Sequence, residues 1–558
     1  MREGGDPQAA AERGERPFGR AIADFRLPDG VGPSGLLPAE EILLALCREG
    51  RPCSFGRALP TEPTGGNSIR PDFLRFLALG GDSAHPVHEN GVQLEGAWID
   101  GDITLDHARE VLPISLRCCR IDGRFSAFNA KLTDLALSGS SLKGVVLEDA
   151  VVDGSVLLRE GAHVDGETRL TGTRIEGDLD CASATLSNPR ADALAARHVH
   201  IRRSVFISDG FTAHGRVRFA GAHIGGDFAC HGGRFIQKRK DSGEQHGRYR
   251  RAAEALTLVN AHIEGVLWLG PWATRAKEQV DLQGSLNLQG ARAETFVDHQ
   301  DSWPPVYVEG DEGRLYCVVQ LNGFVYDKLG TGAPTDSATR EKWLLQQQPK
   351  RRRTGDFHPQ PFEQLMRVLR AMGYDQDARR IGLLKESLMQ PTRVHRATFW
   401  SRPLVLLTGY AWGTLAGYGY RSHRLFVFLL LLWLGCAWFF GQAEAQGLFA
   451  PADAGVWTNA DLVRECEQTR WTVCPKVSGF ITFNAAMYAA DVIFPFIDLQ
   501  QQAQWIPLMK PFVLDVPGIG PAHLPAGTVH LVAWIATMIG TACVVLLGAI
   551  LTGLLHRE

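Results

Sequence analysis

One short pattern recurs through the middle of the chain: an aliphatic residue, one residue, a glycine, then alternating apolar positions. It reads Ile99-Asp100-Gly101, Ile121-Asp122-Gly123, Val152-Asp153-Gly154, Val164-Asp165-Gly166, Ile175-Glu176-Gly177 and Ile263-Glu264-Gly265. Looser copies stand at Leu142-Lys143-Gly144, Ile224-Gly225-Gly226 and Leu282-Gln283-Gly284. Where the copies are densest the glycines lie about ten to twelve residues apart, a spacing that marks a stacked array. Alternation places Ile103 with Leu105, Val156 with Leu158, Leu179 with Cys181 and Leu286 with Leu288 on one face. A unit this short cannot bury that face alone, so units must stack and pool their cores. The expected fold is mainly β: a right-handed β-helix with about twenty residues per coil and glycine at the tight corners.

At 558 residues the chain has room for more than one structural unit. Residues 1–90 read as a flexible start and a helical cap, with helices over 40–47 and from Pro71 onward. The solenoid occupies 91–300, interrupted at 236–252 by an inserted, mobile basic loop. An aromatic C-terminal cover follows at 301–350, then an αα-hairpin at 356–392, then a membrane region at 398–558. Spans are expected at about 424–441 and 529–555, each long enough with its flanks to cross a core of about 30 Å. Segments 403–418 and 479–497 suit the interface or a re-entrant path better than a full span.

Arg421, His423 and Arg424 precede the first span and His556 and Arg557 follow the second, while Asp453, Asp461, Glu465 and Glu467 lie between. The positive-inside rule then puts both termini in the cytoplasm and 442–528 outside. The polar start, Met1 to Pro7, lacks the apolar stretch of a signal peptide, in agreement with a cytoplasmic N-terminal part. The 11 cysteines form no framework and read as small apolar fillers, with one exception. Cys466 and Cys474 fall in the outside loop and are the candidate disulfide.

A net charge of −3 names no partner in bulk. Arg393, Arg396, Arg402, Arg421 and Arg424 flank the membrane and are candidate lipid contacts. For the basic insert and the run Lys350 to Arg353, a solvated loop ranks first, lipid second and nucleic acid last. His163, His223 and His262 share the context Ala-His-aliphatic-x-Gly, with Trp98, Arg120 and Arg174 in the same slot, and read as an outward column of tolerant positions. The acidic slot beside it, Asp100, Asp122, Asp153, Asp165, Glu176 and Glu264, reads as solvated turns. Vicinal Cys118 and Cys119 should point outward and inward in turn. Asp491 and Asp498 flank an apolar stretch and are the candidates for an ion path. No set of residues suggests a catalytic, cofactor-binding or metal site, and none is expected.

The densest repeats resemble the bacterial pentapeptide-repeat-like β-helix proteins. More of the chain resembles a bacterial family of membrane-associated proteins. The matching segments are Ile69 to Asp82, Leu321-Asn322-Gly323-Phe324-Val325-Tyr326, Pro359 to Leu365, Gly417 to Arg421, Phe494 to Leu499 and Trp505-Ile506-Pro507. The resemblance implies a multi-pass protein of the bacterial cytoplasmic membrane. Members are often labelled membrane-associated oxidoreductases, yet no G-x-G-x-x-G after a strand and no C-x-x-C supports that here. The leading expectation is a non-enzymatic scaffold, anchored in the lipid bilayer, whose solenoid binds another protein. The alternative is an oligomeric membrane effector or channel with the solenoid as its sensor.

Overall fold

The computed structural model describes residues 21–25, 35–246, 249–271, 279–311, 313–347, 357–396, 422–474, 482–494, 496–516, 518 and 520–551. The chain divides into two compact units, Met1–Thr392 and Arg393–Glu558.

The first unit is built from short strands that pair in parallel to give two sheets of 16 strands each. Within them run four in-register ladders. One joins Ile114, Leu135, Val156, Leu179, Val205 and Phe228. A second joins Leu142, Val164, Leu186, Ala213, Phe235 and Leu282. A third joins Ile103, Phe125, Val145, Thr168, Leu194 and Val217. The fourth joins Leu132, Val152, Ile175, Ile201, Ile224 and Ile263. All of these side chains are buried and all but Thr168 are apolar, so each ladder contributes a largely apolar line to the core. At about 1.5–3 kcal/mol per large buried aliphatic residue, the lines supply most of the drive for folding, against the entropy of ordering many short strands.

Gly101 and Gly166 have positive φ, but most repeat glycines hold a different place from the one expected. Gly123 and Gly177 are not in the left-handed region. They are glycine because the neighbouring repeat lies against them: a Cβ at Gly177 would stand 2.6 Å from the Gly154 carbonyl oxygen and press on Ser155 Oγ. The left-handed corners are shared between glycines outside the motif, such as Gly139, Gly172, Gly221 and Gly290, and other residues, among them Asn129, Asp149, Ser183 and Asn260. Short polar side chains such as Asn and Asp tolerate that conformation through local hydrogen bonds.

Helices cover both ends of the ladders. At the start, α1 (Pro38–Glu49) and α2 (Pro71–Ala78) carry Leu43, Cys47, Phe73, Leu74 and Leu77 into the core. Fully buried Glu40 ties them together, accepting from the Arg70 backbone N–H at 3.0 Å and from its guanidinium at 2.9 and 2.6 Å. At the other end, α3 (Ser337–Leu345) places Trp343 on Phe296, ring centroids 5.8 Å apart. Buried Arg340 makes two 2.8 Å bonds to buried Asp298, whose carboxylate also accepts from Trp303 Nε1 at 2.8 Å. Next, α4 (Gln360–Ala371) uses Gln360 and Gln364 to bond the backbone at Gly323, Phe324 and Tyr326. Gly373, in the left-handed region, separates α4 from α5 (Asp375–Arg396).

The basic insert is no loose loop. Strands Lys240–His246 and Tyr249–Ala252 form an antiparallel hairpin, and the second pairs in parallel with Gly313–Tyr316 in a four-stranded sheet. Ala252, Leu315 and Cys317 form its small core, with Val308 packed against it.

In the second unit, α6 (Ser422–Ala445) and, after the intervening segments, a C-terminal helix Thr528–Leu551 are long and apolar enough to cross a membrane. Between them come α7 (Ala454–Thr458), α8 (Ala460–Thr469), α9 (Ala485–Ile493) and α10 (Gln501–Gln504), so the last helix is α11. The strand Phe449–Pro451 pairs with Trp505–Pro507, and Phe512–Val516 with Gly520–Leu524. Helix α9 packs on both α6 and α11 through Tyr488, Ala489, Val492 and Ile493.

Candidate functional site

The four-ladder register decides which outward residues meet. The slot read from sequence as one histidine column is two. Trp98, Arg120, Ser141, His163 and Thr185 share one ladder, where the Arg120 guanidinium lies 4.7 Å over the Trp98 ring. Arg174, His200, His223, His262 and Arg292 share another. His163 is therefore not brought to His223 and His262. His200, which the motif does not pick out because Arg203 stands where it has glycine, is.

On that second ladder three imidazoles stack. The His200 and His223 rings lie 4.8 Å apart and 9° from parallel, and those of His223 and His262 lie 5.3 Å apart at 17°. These spacings follow the distance between neighbouring strands, about 4.8 Å. Glu264, two residues past His262 and on the same side of its strand, reaches back to the preceding repeat. Its Oε1 lies 3.3 Å from His223 Nε2. The ligand atoms of His223, His262 and Glu264 all lie within 4.8 Å of one another, so these three could hold a metal ion. That differs from the expectation of no such group, and only strand register, invisible in the motif alone, assembles it.

The acidic slot also divides between the two ladders, and it is interleaved with cations. Lys131 meets Asp153 at 3.0 Å, Arg202 meets Glu176 at 3.6 Å, and Lys143 meets Asp165 at 3.7 Å. It is a lattice of surface pairs rather than an acidic stripe, and each pair contributes little to stability. In the position of Glu176 and Arg202, the next repeat has Gly225 and the one after it Glu264. The carboxylate is thus free to turn to His223.

Cys119 is buried and Cys118 half-buried, in the alternation expected. Burial pushes the Cys119 and Cys317 thiols up to about 12, and Cys53 to about 11. Such thiols stay protonated and serve packing rather than redox exchange. In the second unit Cys466 and Cys474 are joined in a disulfide that closes the end of α8 on the following turn.

Asp491 is buried near the end of α9. Its carboxylate accepts from the backbone N–H of Leu499, Gln501 and Gln502 at 2.6, 2.8 and 3.1 Å. Asp498 is exposed and accepts from Gln500 N at 2.9 Å. The two carboxylates do not line one path: Asp491 fixes the turn by which the chain returns from α9, and Asp498 faces away from the core. Arg424 is exposed on the first turn of α6. The Arg393 and Arg396 side chains, Arg402, Arg421, the run Lys350 to Arg353 and the segment 403–418 lie outside the described residues.

Among the described residues, no nucleophile, base and orienting acid converge in the pattern of a hydrolase triad. No family model, curated protein or solved structure matches the chain.

Proposed function

We propose that the chain is a membrane-anchored scaffold. Its first unit is a right-handed β-helix of the pentapeptide-repeat-like kind, capped by helices and turned to the cytoplasm of a bacterial cell. Its regular outer faces bind a protein partner, and α6 and α11 anchor it in the cytoplasmic membrane. The observation that carries this reading is the set of four ladders. They run in register from one helical cap to the other and give a long, stiff surface of ion pairs and stacked rings. Such a surface suits recognition of another macromolecule, with specificity set by its charge pattern. Photocrosslinkers installed singly at Arg120, His163, Arg174 and Arg292 in the full-length protein in cells test it. One protein captured repeatedly from positions of a single ladder is the expected result. Capture no greater than from a crosslinker at exposed Trp457 of the second unit would reject it.

A second reading, an oligomeric channel with the first unit as sensor, has one observation in its favour. A Cβ at Gly540 would strike the Ile493 carbonyl oxygen at the end of α9. Gly540 is 12 residues past Thr528 (540 − 528), or about 18 Å along α11. If α11 spans the bilayer, α9 reaches past the middle of a core of about 30 Å and then turns back, with its partly negative C-terminal carbonyls at that depth. Cation flux from proteoliposomes carrying the full-length protein, absent from protein-free liposomes, is the outcome this reading requires. A strictly monomeric species in mild detergent that conducts nothing would leave it without support.

A further inference from the structure

We propose that His223, His262 and Glu264 form a surface site for a divalent cation of the zinc class. Zinc takes imidazole nitrogen and carboxylate oxygen at about 2.0–2.2 Å, and across a tetrahedron such atoms stand about 3.3 Å apart. His223 Nε2 and Glu264 Oε1 already stand 3.3 Å apart, and His262 supplies the third atom within 4.8 Å of both. Small side-chain rotations close the set, because the backbones are fixed: His223 and His262 face each other across hydrogen-bonded parallel strands. The ladder thus supplies the preorganisation that a metal site on a flexible loop lacks.

The third ligand depends on a break in the pattern. In other repeats the slot two residues past the ladder residue holds a side chain that pairs along the face, as Arg202 does with Glu176. Gly225 lies between Arg202 and Glu264 in register and offers no such partner. Glu264 turns instead to the imidazole. Two histidines and one carboxylate leave coordination open on the solvent side, where water or a donor group of a bound partner would complete the shell. Imidazole and carboxylate together favour zinc, copper or nickel over calcium and magnesium, which prefer oxygen alone. His200 stacks on His223 and steadies its ring without being one of the three.

The experiment uses full-length protein in detergent, stripped with chelator and titrated with Zn²⁺ against a chromophoric competitor. Wild type should bind one equivalent that His223→Asn and His262→Asn each weaken at least ~100-fold. That exceeds or matches the roughly 10–100-fold loss caused by removing a group that only orients a ligand. Glu264→Gln, which keeps shape and hydrogen bonding, should weaken it as well, while His163→Asn on the other ladder should leave it unchanged. All four positions lie at the surface, and circular dichroism of each variant establishes that the fold is kept. Zinc affinity equal in wild type and in the folded His223→Asn and His262→Asn variants, or no bound equivalent in wild type, would overturn the site. The scaffold reading would survive that result, because it rests on the crosslinking pattern.

Discussion

Gly177 and Asp149 show how differently the repeat uses its residues. Gly177 is required by the backbone of the preceding repeat beside it, whereas Asp149 occupies a left-handed corner where a side chain is tolerated. Gly177→Ala should therefore destabilise the first unit by about 1–3 kcal/mol through overpacking. Asp149→Gly should change stability far less, and thermal unfolding of the two variants separates them. The glycine was visible in the sequence but its reason was not. Spacing alone cannot tell a corner from a close approach, because that depends on which repeat lies alongside. The same blindness merged two histidine columns into one and passed over His200. It also hid the corner line Asp134, Ser155, Asp178, Ser204 and Asp227, in which side chains of one repeat bond backbone N–H groups of the next, as Asp134 does with Ser155 N at 2.9 Å. Arg340 makes the sharpest prediction at this scale. Arg340→Leu leaves Asp298 charged and buried without its partner, and should cost about 3–5 kcal/mol, read by denaturant unfolding.

Helices and hairpins behave as caps, clips and covers. Asp336 caps α3 by accepting from Thr339 N at 2.8 Å, and that bond holds its carboxyl below the ordinary 3.8. A folded value below the unfolded one contributes stability that is complete above the unfolded value. It is lost as pH falls through the folded one. Asp336→Ala should lower stability by about 1 kcal/mol at neutral pH. The gap to wild type should close as the pH falls below 3.8, a trend that thermal midpoints across pH would show. In the second unit the Cys466–Cys474 bond closes a short loop across 8 positions, and removing it as Cys466→Ser with Cys474→Ser should cost about 2–3 kcal/mol on the chain-entropy account. The N-terminal cap, the α4–α5 pair and both apolar helices could be read from helical spacing and hydropathy, whereas α3 lay within what read as an aromatic cover. The hairpin of the basic insert could not, since its strands are held by a partner, Gly313–Tyr316, far along the chain.

As a whole the molecule has two units with different solvents written into them. The first buries aliphatic lines beneath a lattice of surface ion pairs. The second exposes Leu430, Leu431, Leu434, Trp534 and Met538 on its two long helices, where a water-soluble fold would keep polar residues. Lipid against those faces would account for them, as the proposed anchoring requires. The anchored arrangement makes its most direct prediction about sidedness. Single cysteines at exposed His163, on a ladder, and exposed Thr458, between the two apolar helices, should differ toward a membrane-impermeant thiol reagent added to intact cells with a porous outer envelope. The account predicts labelling of Thr458→Cys from outside and of His163→Cys only after the cytoplasmic membrane is opened. Labelling of His163→Cys in intact cells, or protection of Thr458→Cys until lysis, would contradict it.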